Sequence, residues 1–199
     1  MSESSNEVPA NLERSTIPRI DPGAIAINGI RPIQRTFHQD ARGFLIETLR
    51  ADDAEIRGSE FAMTYSSLTV PGQFRDADRW HLHQQQTDRF VVILGEMTLA
   101  LMDDRKDSPS YRRLEVVRLN GLSFQIRSTG SIPAYLVPIP PGVLHCVGNL
   151  GNEPFLLQNC PTELYNPADE GRVPFESKVV AGIDRPFSWS LVDTRSVSE

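Results

Sequence analysis

Long apolar runs are missing from this chain. No stretch approaches the roughly 20 apolar residues that a membrane-spanning helix needs, so no such span is predicted. A basic excess is missing as well: 20 Lys and Arg face 26 Asp and Glu among 199 residues, a formal charge of −6. With a pI near 5.3, there is no basic stripe to grip a phosphate backbone, which excludes nucleic acid as an expected partner. A small anion is not excluded, because a few arginines in one pocket serve it locally. Cysteine is scarce, with only Cys146 and Cys160. The first residues, MSESSNEVPANLERST, lack the apolar core of a secretory signal. Together these predict buried, reduced thiols in a cytoplasmic protein. Gly-rich phosphate loops and internal repeats are absent, and helical periodicity is confined to one short turn at 51–57 (ADDAEIR).

What remains is a series of short strands. Hydrophobic residues make up 39% of the chain, enough for one core. The polar stretch 1–17 reads as a disordered lead-in and 18–199 as a single domain whose last few residues fray. FLIETL (44–49), FAMTYSSLTV (61–70), RFVVIL (89–94), MTLALM (97–102), LEVVRL (114–119), AYLVPI (134–139) and FLLQNC (155–160) are β-branched or aromatic runs punctuated by Gly, Pro, Asp and Asn. Gly95-Glu96 reads as a two-residue hairpin turn, and GNLGNEP (148–154) as a second reversal. The class is all-β, a sandwich or barrel.

Of four histidines, His38 lies in a polar stretch and reads as a surface residue. His81 and His83, two apart on a strand, project to the same face. Asp88 follows five residues after His83, Gly95 seven after that, and PPGVLHCVGN later carries His145 and Asn149. These residues resemble the two cupin motifs, His-x-His with an acid and Gly, then Pro-x-Gly with His and Asn. The resemblance implies a cupin jelly-roll β-barrel (double-stranded β-helix) with short flanking helical turns. It also implies a pocket in which His81, His83, Asp88 and His145 would ligate one divalent transition-metal ion, for which imidazole and carboxylate are suited donors.

A second resemblance covers most of 25–175. Asp40-Ala41-Arg42-Gly43-Phe44-Leu45-Ile46-Glu47, Leu82-His83-Gln84-Gln85, Asp103-Asp104-Arg105 with Ser108-Pro109, Ile139-Pro140-Pro141-Gly142-Val143-Leu144-His145 and Tyr165-Asn166-Pro167-Ala168-Asp169-Glu170 are similar to segments of the dTDP-4-dehydrorhamnose 3,5-epimerase family. This branch of the cupins needs no metal. Its sequence departures here are Trp80 where the family has Arg, Arg89 at the enolate-stabilising Lys, and Met63 and Tyr65 at the Gln and Asn of the substrate strand. Asp103-Asp104 reads as a solvated loop.

The resemblance implies an isomerase that removes a C–H proton beside the ketone of a nucleotide-linked 4-keto-6-deoxy sugar, without a cofactor. Such chemistry needs a base, a stabiliser for the enolate oxygen and an acid on the opposite face. By resemblance these are His83, Arg89 and Tyr165, with Asp193 in Ser190-Leu191-Val192-Asp193 orienting the base. Arg42, Glu47, Arg75, His145 and Glu170 are the implied substrate contacts, and a homodimer is the implied assembly. Two other readings stand beside it: a metal-dependent oxygenase or isomerase built on His81, His83, Asp88 and His145, and a non-catalytic sugar-binding barrel.

Overall fold

Alternation along the strands decides which side chains enter the barrel and which leave it. The computed structural model describes residues 16–53, 61–123 and 129–194. Among these, twelve strands form two six-stranded sheets. One sheet runs in the order β1 (Arg19–Ile20), β8 (Leu114–Asn120), β7 (Glu96–Asp103), β10 (Val143–Gly148), β5 (Arg79–His83), β12 (Glu170–Pro174). The other runs β3 (Gly43–Leu45), β2 (Ile33–Asp40), β9 (Gly130–Ile139), β6 (Asp88–Leu94), β11 (Phe155–Asn159), β4 (Tyr65–Thr69). The fold is the expected jelly-roll barrel.

Between the sheets lies an apolar core that includes Phe90, Val92, Leu99, Leu101, Val117, Val137 and Phe155. On the outer face of the first sheet, Trp80, Leu82, Leu144 and Cys146 pack against Phe175, Phe187 and Trp189 of the C-terminal segment. Trp80 is fully buried and stacks near Phe187 with ring centroids 5.0 Å apart. Because Trp80 and Leu82 leave the barrel, His81 and His83 must enter it. The same parity sends Val91 outward and Phe90 and Val92 inward on β6.

The structure corrects several expectations about the chain. Gly95-Glu96 is not a hairpin turn, since β6 and β7 belong to different sheets. It is a corner where the chain crosses between them. Gly95 sits at φ +74°, and a Cβ there would lie 2.1 Å from the Pro154 carbonyl oxygen, so only glycine fits. The stretch 148–154 is likewise a crossing, from β10 to β11. Turn residues mark where a chain reverses; they do not say which strand it then joins. The strand expected at 44–49 is confined to Gly43–Leu45, and β2 and β12 lie outside the expected runs. Asp103 is fully buried, not solvated: it accepts hydrogen bonds from Arg105 Nε (2.8 Å) and Ser110 Oγ (2.6 Å) and from Ser108. Burial alone would raise its pKa, but these donors outweigh it and hold the carboxyl at about 2. Ile17 pairs with Val192, so the folded body begins before residue 18. The helical turn expected at 51–57 lies largely outside the described residues. Both cysteines are free and buried, and His38 is exposed. No helix among the described residues is long and apolar enough to cross a membrane.

Candidate active site

Strand register gathers the polar residues into one end of the barrel. His145 of β10 is paired with His81 of β5, while Arg172 and Glu170 of β12 are paired with His81 and His83. Directly opposed residues in antiparallel strands share a face, so all five side chains point inward. From the facing sheet come Asp88 of β6, Asn159 of β11 and Tyr65 of β4, the last two opposite one another.

His83 is the most constrained of these groups. Its Nδ1 lies 3.0 Å from Asp169 Oδ2, and it is only 8% exposed. Asp169 also accepts the backbone N–H groups of Gln84 (2.9 Å), Gln85 (2.7 Å) and Gln86 (3.2 Å). Burial pushes the Asp169 pKa up, but the backbone donors and His83 outweigh it and the carboxyl titrates below its ordinary value. An ionised acceptor at Nδ1 fixes the proton there and leaves the Nε2 lone pair for other work. The Gln86 amide nitrogen, which donates to Asp88 Oδ1 at 2.8 Å, stands 3.1 Å from that Nε2.

Asp88 is the hub of the cluster. It is 2% exposed, and its Oδ2 lies 3.2 Å from His145 Nε2 and 3.6 Å from His83 Nε2. Asn159 donates to its Oδ1 at 2.8 Å. Burial opposes its charge, yet His145, His83 and Asn159 hold its carboxyl well below the usual carboxylate range. His81 stays neutral: burial first, then His145, Arg172 and His83, lower its pKa to about 3. In the unfolded chain that proton binds near 6.5. The folded protein therefore loses stability as pH falls from 6.5 towards 3, and the low Asp88 pKa acts in the same direction at the acid end of this window. Thermal melts between pH 7 and 4 should show a falling midpoint, with a shallower slope in His81→Gln; an unchanged slope would contradict this account.

A cavity of about 340 Å³ opens in front of the cluster, lined by Tyr65, Ser67, Arg75, Asp76, His81 and His145 among others. Arg172 bridges Asp76 (3.0 Å) and Glu170 across its rim. Arg75 is held by neutral acceptors, Thr69 Oγ1 at 3.0 Å and the Leu68 carbonyl at 2.6 Å, and has no carboxylate partner among the described residues. Its charge is thus free to meet an anion.

Several residues expected in the site lie elsewhere. Arg89, fully buried, shares the outward parity of Val91, and so stands on the opposite face of the sheet from Asp88. Its backbone N–H donates to Asn159 Oδ1. The pocket position on this strand belongs to the acid, not to the arginine. The acid on His83 is Asp169 and not Asp193, whose backbone N–H pairs with Ile17. Arg42 is 90% exposed and pairs with Asp40 across the β2–β3 turn, and Glu47 pairs with Arg50 at 2.6 Å. Tyr165 is 70% exposed and lines a separate surface depression of about 640 Å³ with Phe61, Leu164 and Asp169. Arg75, His81 and His145 line the cavity, while His83, Asp88 and Glu170 lie behind that lining, within contact distance of His81 or His145 or of one another. Asp169, Asn159, Gln86, Asp76 and Arg172 join the site without having been expected there, and Tyr65, noted in the sequence only as a departure on the substrate strand, joins it too. Asp169 sits beside Glu170 in a matched segment, and the alternation of Tyr65 with Ser67 marks an inward face, so both carry some signal.

The histidine cluster does not fit a metal as it stands. Nitrogens of His81, His83 and His145 lie within 4.8 Å of one another, and the Nε2 atoms of His81 and His145 make no aligned hydrogen bond. The third donor is not free: Asp169 holds Nδ1 of His83, and the Gln86 amide must leave Nε2 before an ion or any other group can take it.

The comparisons identify the relatives of this barrel. The family model for dTDP-4-dehydrorhamnose 3,5-epimerase matches residues 24–192. The chain belongs to the dTDP-4-dehydrorhamnose 3,5-epimerase family. It is 35% identical over 140 residues to the probable low-salt glycan biosynthesis epimerase Agl13 of Haloferax volcanii, covering 69% of this chain and 81% of that one. It is 27% identical to the spore coat polysaccharide biosynthesis protein SpsL of Bacillus subtilis, over 82% of this chain and 97% of the relative. The dTDP sugar isomerase structure from Desulfovibrio desulfuricans superposes with a TM-score of 0.66 at 25% identity, over 84% and 95% of the two chains. As a member of this epimerase family the protein is an isomerase that acts on nucleotide-linked 4-keto-6-deoxy sugars, and the metal-dependent reading is not favoured.

Proposed function

We propose that His83 removes the C–H proton beside the ketone of a nucleotide-linked 4-keto-6-deoxy sugar, in a site that needs no metal. The observation that carries this is the 3.0 Å contact of His83 Nδ1 with Asp169. It directs the basic Nε2 towards the cluster behind the cavity, where the Gln86 amide yields its place to the substrate. As the C–H bond breaks, its electron pair moves to the carbonyl oxygen, and a cation or hydrogen-bond donor must meet that charge. Arg89 stands on the wrong face for this. Arg75 supports the role better, since its guanidinium faces the cavity without a carboxylate partner among the described residues. It serves the enolate oxygen or the diphosphate, and arginine does either by directed hydrogen bonds. Reprotonation from the opposite face then inverts the carbon.

The test is deuterium wash-in at C3 and C5 of dTDP-4-keto-6-deoxyglucose in D₂O, followed by proton NMR. Exchange is expected, and it is expected to survive exhaustive chelation. Folded protein that exchanges neither position would sink the substrate reading, and activity that disappears on chelation and returns with a divalent ion would restore the metal-dependent one.

A further inference from the structure

Tyr165 is badly placed to return a proton, so the acid must be sought inside the barrel. Among the described residues, Tyr65 is the only phenol lining the cavity that His81 and His145 face. Its strand, β4, is paired residue for residue with β11, and Tyr65 lies directly opposite Asn159. Shared facing makes both side chains point inward.

The hydrogen bonds of Asn159 decide the direction of the phenolic proton. Asn159 is fully buried. The backbone N–H of Arg89 donates to its Oδ1 at 2.8 Å, which identifies that atom as the amide oxygen. The other end is therefore the NH₂ group, and it donates to Asp88 Oδ1 at 2.8 Å and to the Tyr65 hydroxyl oxygen at 3.0 Å. An amide NH₂ cannot accept. Tyr65 must therefore use its oxygen as the acceptor, and its own O–H proton is left to donate to something in the cavity. Burial raises the Tyr65 pKa, with the nearby Asp88 and Glu170 charges adding to it, so the phenol keeps its proton at neutral pH.

Tyr65 and His83 also stand at two ends of one network. Gln86 joins His83 to Asp88 Oδ1, and Asn159 joins the same oxygen to Tyr65. The two amides tie base and phenol to one oxygen of a fixed carboxylate.

We propose that Tyr65, and not Tyr165, is the catalytic acid that protonates the enolate on the face opposite His83. The proposal rests on the epimerase reading above. In this step the enolate electron pair reforms the carbonyl, the former double-bond pair takes the Tyr65 proton to make the new C–H bond, and the O–H bond breaks to leave a phenolate. Water then reprotonates Tyr65 and takes the proton from His83, so the enzyme returns to its starting state.

The experiment compares wild type, Tyr65→Phe and Tyr165→Phe with dTDP-4-keto-6-deoxyglucose in D₂O. NMR follows exchange and epimer formation separately. Tyr65→Phe is expected to wash deuterium into recovered, uninverted substrate while its epimer yield falls at least 100-fold, because His83 still removes and returns a proton on one face. Tyr165→Phe is expected to stay within about threefold of wild type. An unchanged melting midpoint for Tyr65→Phe separates this from loss of fold, and a merely structural role for Tyr65 would lower exchange and inversion together. Full epimerisation by Tyr65→Phe, parallel loss of exchange and inversion in it, or selective loss of inversion in Tyr165→Phe would each overturn the assignment. Absence of exchange in wild type would instead sink the epimerase reading, and with it this one.

Discussion

Replacing His83 by Asn is expected to lower epimerisation and solvent exchange together by about 10³-fold, roughly 4 kcal/mol of barrier. Both readouts should fall because deprotonation precedes everything else. The variant should fold: asparagine keeps a donor near Asp169 and a polar group near Gln86, the two partners of the imidazole. Neighbouring imidazoles will not take over readily. His145 has Nδ1 at 3.3 Å from the Val143 carbonyl and Nε2 at 3.2 Å from Asp88, and burial makes His81, whose Nε2 stands 3.3 Å from Glu170, a weak base. Kinetics by NMR and circular dichroism on the same sample check this. Exchange within tenfold of wild type would move the base to His81 or His145.

Asp169→Asn is expected to cost about 10²- to 10³-fold in turnover and to lower stability by about 1–3 kcal/mol. The carboxylate takes three backbone N–H groups and the imidazole, all of them donors. An amide has one oxygen and one NH₂ group. If the oxygen keeps Gln84 and Gln85, the NH₂ group faces Gln86 N–H and His83 Nδ1 and forces the imidazole into its other tautomer. If it turns round, Gln84 and Gln85 lose their acceptor and the turn that carries Gln86 is released. The first arrangement removes the Nε2 lone pair, and the second keeps it but loosens the turn that positions His83 and Gln86. Turnover and thermal unfolding measured together test this, and a variant that keeps wild-type turnover despite lower stability would show that Asp169 serves only the fold.

Several features of the site are legible in the residue order. Residues two apart on a strand share a face, so His81 and His83 must project together. Trp80 and Leu82 beside them are buried in the outer cluster, as their alternation requires. The same rule, applied to β6, separates Asp88 from Arg89: one of the two neighbours must leave the pocket. A matched motif conceals this, because it aligns the arginine with a family lysine without regard to which way the strand faces. The matched Asp103 segment is a buried knot of Arg105, Ser108 and Ser110 that shapes a loop, which the letters alone do not distinguish from a solvated turn.

The sequence by itself determined most of the strands, the shared facing of His81 and His83, and the family. Those follow from a period of two and from local residue types, and they need no knowledge of distant chain. Only the tertiary structure decided that Asp169 rather than Asp193 meets His83, 86 residues away, and that Tyr65 rather than Tyr165 enters the cavity. Such contacts depend on which sheet each strand joins and in what register, and a slip of one residue would turn Tyr65 or Asp88 out of the barrel. Opposite faces of one barrel wall lie one residue apart in sequence, which is why the residue types were readable and their meeting was not.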